Sequence, residues 1–227
     1  MTAAGRLAAH EASLRRRFRV TETEVQLAGR TLSIIHPASA EDLIDEREFE
    51  RDERLPYWAE LWPSARVLGE DVLGTAGRGR RLLELGCGAG LVATCASLAG
   101  FEVVASDYYE DATRFARVNA WRNGAPVPRT LLLDWRSLPG SIERFEVVVA
   151  SDVLYERPYG RLVARAIRRT LSVGGLALVA DPGRVGRDEF LDALATVGLE
   201  MRHRRAVPYV DGEINQSIAI FEIVRRK

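Results

Sequence analysis

From Arg81 onward the chain alternates short apolar runs with amphipathic stretches. Strand-like runs fall at Arg81–Leu85, Glu102–Ser106, Thr130–Leu133, Phe145–Ala150 and Leu176–Ala180. Helix-period segments separate them at Leu91–Leu98, Glu110–Asn123, Tyr159–Leu171 and Arg187–Val197. This alternation predicts an α/β fold, a mostly parallel sheet covered on both faces. Uninterrupted apolar runs such as Val147–Ala150 suit strands buried on both sides. The pattern changes at the end, where Leu199–Val207 and Gln216–Val224 are joined by Val210–Glu213 with no helix between them. An antiparallel hairpin is predicted there.

Before Arg81 the order is different. Val20–Ile35 alternates polar and apolar residues around Ala28-Gly29 and stops at His36-Pro37, which predicts a β-hairpin. Ser39-x-x-Asp42 has the form of a capping box and predicts a short, solvated helix over Glu41–Arg51. Leu55–Leu73 carries two tryptophans and two prolines, then a helix from about Ser64. Residues 1–17 read as a solvated helix or frayed segment, 18–75 as an extension of hairpin plus Trp-rich lid, and 76–227 as the α/β core.

Composition narrows the function classes. The 227 residues are 47% hydrophobic, enough for one domain with a sizeable core. Formal net charge is zero, which gives no whole-chain footing for nucleic acid or a membrane surface. No apolar run is long enough to span a membrane, and the start lacks a signal-peptide core. Cys87 and Cys95 have neither zinc spacing nor a disulfide framework, so a reducing cytoplasm is expected. His10, His36 and His203 are scattered, and no metal site is expected. Lys227 is the sole lysine; every other basic residue of that kind is arginine. An enzyme that modifies lysine would offer itself almost no substrate.

The candidate chemistry sits at the strand ends, where ligands of open α/β sheets bind. The first strand runs into LLELGCGAGLV, with Glu84 and then Gly86, Gly88 and Gly90. Such a turn lets the backbone approach a ligand closely. Leu91 occupies the place of the third glycine in a dinucleotide fingerprint, which disfavours a nicotinamide cofactor. The second strand ends at Asp107, an acceptor for ribose hydroxyls. The third ends at Asp134-Trp135, an acceptor beside an aromatic plane. The fourth ends in Ser151-Asp152-Val153-Leu154-Tyr155 and the fifth in Asp181-Pro182-Gly183-Arg184.

These motifs, with PYWAELWPSA at Pro56–Ala65 and SDYYEDA at Ser106–Ala112, resemble the class I, seven-strand methyltransferases that use S-adenosylmethionine (SAM). Within them the chain is similar to the lysine methyltransferases of the electron-transfer-flavoprotein β-subunit branch and their bacterial nicotinamide N-methyltransferase-like relatives. The resemblance covers about Val20–Val224 and implies a Rossmann-like, mostly parallel seven-stranded sheet with an antiparallel C-terminal hairpin and an N-terminal hairpin/helix extension. It implies that Gly86, Gly88 and Gly90 hold the methionine end of SAM, with Glu84 and Ser151 also in the cofactor site. Asp107 would bind ribose, Tyr108 would lie against adenine, and Asp134 and Trp135 would frame it. Trp62 would close over the cofactor, its ring face attracting the sulfonium. Asp152 and Tyr155, the D-x-x-Y set, would line the acceptor channel as catalytic residues, with Tyr57, Trp58 and Arg184 shaping its mouth.

The implied reaction is methyl transfer to a protein lysine, with S-adenosylhomocysteine as product, by a cytoplasmic monomer. The partner is a protein with an accessible lysine or a small-molecule amine, and neither nucleic acid nor membrane. Two alternatives stay open: an N-methyltransferase acting on nicotinamide or a similar small molecule, and a SAM-binding module acting through a partner.

Overall fold

The computed structural model describes residues 2–43 and 55–226. The strands are β1 Val20–Leu27, β2 Arg30–Pro37, β3 Arg81–Leu85, β4 Glu102–Asp107, β5 Arg129–Leu132, β6 Phe145–Ser151, β7 Leu171–Asp181, β8 Leu199–Asp211 and β9 Ile214–Arg225. The helices are α1 Ala3–Arg17, α2 Pro63–Leu73, α3 Leu91–Leu98, α4 Glu110–Arg122, α5 Arg157–Thr170 and α6 Arg187–Thr196.

Seven strands form one sheet in the order β5-β4-β3-β6-β7-β9-β8, and β1 pairs with β2 separately. Strands β3 to β7 are parallel to one another, and β9 is antiparallel to both β7 and β8. Alternate residues of each central strand face opposite layers. Leu82, Val147 and Val149 point to the layer of α2 and α3, with Val67, Leu68 and Val92. Leu83, Val148 and Val179 point to the layer of α5 and α6, with Val163, Ile167 and Phe190. This double burial is what the uninterrupted apolar runs demanded.

The seven-stranded α/β architecture agrees with the expectation, and most element ends shift by a residue or two. Helix α5 starts earlier than Tyr159, because Pro158 fits the first helical turn, where its missing N–H costs nothing. The helix predicted over Glu41–Arg51 is only a 3₁₀ turn at Glu41–Leu43; the rest of that stretch lies outside the described residues.

Residues 3–17 form a helix docked on the core. Thr2 caps α1, and Leu14 packs with Ile35, Phe115 and Val118. Arg122 of α4 reaches back to Glu11 at 2.7 Å and to Glu22 at 2.6 Å, and Arg17 binds Asp111 at 2.7 Å. Arg15 pairs with Glu11 and Glu22, so among the arginines at the end of α1 Arg17 makes the ion pair to α4. Hairpin β1–β2 packs Val25, Leu27, Leu32 and Ile34 against Ala89, Leu91 and Cys95, immediately behind the glycine turn. Among the described residues no helix is long and apolar enough to cross a membrane, and no cluster of His, Cys, Asp or Glu could hold a metal ion.

Candidate active site

One cleft opens beyond the carboxyl ends of β3, β4, β5 and β6, with a volume of about 950 Å³ including its mouth. That suffices for a nucleoside-sized ligand. Tyr57, Trp58, Trp62, Glu84, Gly86, Gly88, Gly90, Asp107, Tyr108, Asp134, Trp135, Ser151, Asp152 and Tyr155 all line it; Arg184 does not.

Its floor is the turn from β3 to α3. Gly88 has φ +49, and a Cβ there would come within 3.0 Å of the Trp58 carbonyl oxygen. Gly90 has φ +83, and its Cβ would strike Ala116 of α4 at 2.4 Å. The second clash is with a neighbouring helix, so Gly90 has a packing role besides any ligand contact. Asp107 stabilises the same turn, accepting from the backbone N–H of Gly88 at 2.9 Å and of Tyr109 at 3.0 Å. Burial pushes its carboxyl up to about 6, opposed by these backbone bonds.

Glu84 is buried, and its Oε2 has no hydrogen-bond partner. Burial, and next the charge of Asp107, raise its carboxyl well above the usual range, opposed by a backbone bond from Ala93. A buried acceptor without a donor is costly unless a ligand supplies one. The Trp135 Nε1 is also buried and unpartnered. At β5, Asp134 accepts from the Arg136 side chain at 3.0 Å.

The end of the cleft at Tyr155 is aromatic. Ring centroids of Tyr57 and Tyr155 lie 4.8 Å apart, those of Tyr155 and Tyr159 4.7 Å, and Trp135 meets Tyr159 edge-on at 5.8 Å. Burial, and then Tyr159, drive the Tyr155 phenol far above its ordinary range, so it stays protonated and cannot serve as a base. Asp152 stands in the left-handed region at φ +58, which places its carboxylate between two donors. The Ser64 hydroxyl donates to Oδ2 at 2.8 Å and the Arg184 guanidinium to Oδ1 at 2.6 Å.

Arg184 binds Asp152 and is not among the residues that line the cleft. Its guanidinium also lies 4.8 Å over the Trp62 ring, a cation–π contact inside the fold. Trp62 is further fixed by its Nε1–H donating to the Tyr57 carbonyl at 2.9 Å. Tyr109 and Tyr159 of the cleft wall, and the buried Ser64 bonded to Asp152, escaped the sequence reading. Tyr159 follows Tyr155 by one helical turn, a legible spacing. Ser64 and Tyr109 had no such signal, one being a buried small residue after a proline and the other the second of two tyrosines.

The residues present fit SAM. The orphaned Glu84 oxygen awaits a donor such as an ammonium, the Asp107 carboxylate retains lone pairs for hydroxyls, and the glycine turn leaves room that any side chain would fill.

Known proteins resemble the chain in sequence and in fold. Residues 57–211 match the family described as a methyltransferase domain. The electron transfer flavoprotein beta subunit lysine methyltransferase of Xenopus laevis is 32% identical over 134 residues, covering 57% of this chain and 53% of that protein. The protein-lysine methyltransferase METTL21E of Mus musculus is 33% identical over 116 residues, 45% of this chain and 47% of that one. The chain therefore spans about half the length of the curated relatives it matches. In fold it is similar to the N-methyltransferase NodS of Bradyrhizobium japonicum, solved with S-adenosyl-L-homocysteine, at a TM-score of 0.58 and 18% identity over 81% of this chain and 97% of that one.

Proposed function

Since the chain belongs to the methyltransferase-domain family, we propose that it is a SAM-dependent N-methyltransferase whose acceptor is the side-chain amine of a protein lysine. The observation that carries the reading is a single cleft joining the glycine turn to the buried Asp152 and its aromatic wall. The two lysine methyltransferases matched at about one third identity support the acceptor class.

SAM supplies, when bound, a methyl group on positively charged sulfur. The chain's own residues bind, orient and exclude water. Glu84 receives the ammonium of the methionine end beside Gly86, Gly88, Gly90 and Ser151. Asp107 accepts from the ribose hydroxyls. Tyr108, Asp134 and Trp135 surround the adenine. Tyr57, Trp58 and Trp62 of the extension cover the turn and exclude water from the transfer.

An acceptor lysine has a reference pKa of about 10.4 and must present a neutral lone pair. Desolvation against Tyr57 and Tyr155 disfavours the charged ammonium there, and its proton is released to water before transfer. Asp152, fixed by Ser64 and Arg184, accepts a hydrogen bond from the amine N–H and turns the lone pair to the methyl group. Tyr155 is the wall against which the lysine methylenes pack. Within the cell, the cytoplasm is the compartment proposed.

Tritium transfer from labelled SAM into a bacterial lysate, separated into protein and small-molecule fractions, tests this. Label in a protein band, on lysine after hydrolysis and absent with Asp152→Asn, is the expected result. Label confined to the small-molecule fraction would move the acceptor to a metabolite amine and overturn the lysine reading.

A further inference from the structure

Helix α5 begins beside the acceptor wall, since Tyr155 precedes it and Tyr159 is in its first turn. It carries Arg157, Arg161, Arg165, Arg168 and Arg169 and no acid. At about 3.6 residues per turn these five fall in one arc of roughly 120°. The opposite face, with Val163, Ala166 and Ile167, is buried in the core. The arginines therefore form one solvent-facing stripe on a chain whose net charge is zero.

Their internal partners are few. Arg157 pairs with Glu189 at 2.9 Å, and Arg169 donates to the Pro139 carbonyl at 2.9 Å. Arg165 and Arg168 pair with no carboxylate among the described residues. Arg225 is pushed down from the usual arginine range by burial and then by the like charges of Arg168 and Arg144. A second cleft runs along the stripe, lined by Trp135, Arg136, Leu138, Leu162, Arg165 and Arg168. Trp135 also lines the first cleft, so the two share a wall.

We infer that this basic cleft docks an acidic segment of the protein substrate, alongside the lysine delivered to Asp152; the inference rests on the lysine reading above. Concentrated positive charge with few internal carboxylates is complementary to acidic side chains. Arg157 and Arg168 are about 16 Å apart along the helix axis. An extended peptide spans that distance in about five residues. A single-stranded nucleic acid would also meet the charge. The cleft lacks the row of open aromatic faces such a strand stacks on, because its one aromatic, Trp135, stands edge-on to Tyr159.

The test uses the full chain with saturating SAM and two fluorescent peptides, one lysine followed by five glutamates and the same peptide with five glutamines. A 20-nucleotide oligo-uridine is the third probe. Binding is read by anisotropy and transfer by mass spectrometry. The wild type is expected to bind the glutamate peptide at least ten-fold more tightly than the glutamine one, with the advantage falling as salt rises. R161E/R165E/R168E should lose that advantage while binding SAM unchanged, and the milder R165Q/R168Q should lose part of it. Equal binding of both peptides, or an advantage retained by the charge-reversed variant, would overturn the inference. Oligo-uridine binding tighter than the glutamate peptide and lost in the variant would overturn it in favour of nucleic acid. Selective binding of the glutamate peptide without methylation would leave the docking site standing and count against the lysine reading. Equal binding with methylation of both peptides would do the reverse.

Discussion

Asp152 is the residue on which the proposed chemistry turns, and its environment makes a clean substitution available. Asparagine tolerates the left-handed backbone that Asp152 adopts. Its amide oxygen can still accept from Arg184, while its NH₂ can donate to the Ser64 hydroxyl, which rotates to accept. Asp152→Asn should therefore preserve the wall and SAM affinity within about two-fold, yet reduce kcat by about 100-fold or more. Calorimetry with SAM beside single-turnover transfer separates the two. A variant that retains kcat would reduce Asp152 to an anchor for Arg184. Asp107 makes a prediction of opposite kind. Its carboxyl titrates at about 6 in the fold, above its unfolded value of about 3.9. The group thus contributes stability below the unfolded value, and that contribution is lost as pH rises through about 6. Ligand binding runs the other way, because ribose hydroxyls need the ionised acceptor. SAM affinity should fall as pH drops from 7 to 5 while the unliganded protein gains relative stability from this group. Asp107→Asn should weaken binding at pH 7 and flatten the profile; an unchanged slope would assign the titration to another group.

At the scale of elements, the strands and helices after Arg81 were legible because one physical signal dominated, the switch between buried apolar runs and amphipathic helices. The turn after β3 was legible for a different reason, since few sequences place three alternating glycines between an apolar strand and an apolar helix. What could not be read was why each glycine is there. Gly90 supports close contact between the start of α3 and Ala116 of α4, which no spacing rule reveals. Gly90→Ala should destabilise the protein by at least about 2 kcal/mol, combining a left-handed backbone with overpacking. Gly124→Ala, with φ +68 but open space around its Cβ, should cost only about 1 kcal/mol from the backbone alone. Urea unfolding of the pair checks the difference; equal losses would mean that α4 yields easily and that the contact has no weight. The N-terminal helix was under-read for a similar reason. Its arginines resemble a solvated face, and only the fold reveals the carboxylate of Asp111 opposite Arg17. Trp62 was recognised as a cleft residue, but the guanidinium over its ring belongs to a residue far away in sequence.

On the scale of the molecule, the question is how an extension that precedes the core comes to form part of its active cleft. Helix α4 lies between them. Its Asn119 is fully buried and joins three backbone groups: its carbonyl oxygen accepts from the Ile35 N–H at 2.9 Å, and its NH₂ donates to the carbonyls of Ile35 and Ala89 at 2.8 Å each. Ile35 belongs to the hairpin and Ala89 to the glycine turn, so one side chain sets the position of the extension against the cofactor-side backbone. Nearby, Asn123 accepts from the Ser33 N–H at 2.9 Å and extends the same junction. Trp58, which follows the hairpin, then reaches Gly88 from the other side. If the extension is an integral wall, loosening that junction must be felt at the cofactor. Asn119→Ala removes three bonds from buried groups and should cost about 2–4 kcal/mol. At a temperature where the variant remains folded, SAM affinity should also fall by about ten-fold, because the turn and the cover over it lose their common tie. Arg17→Ala, which cuts the exposed pair with Asp111 and the contact over the Phe18 ring, should change stability by less than about 1 kcal/mol and leave SAM binding intact. Calorimetry on both variants decides the point. Undiminished SAM affinity in folded Asn119→Ala would mean that the extension rests on the core without shaping its cleft, and that the glycine turn holds its geometry through Asp107 alone.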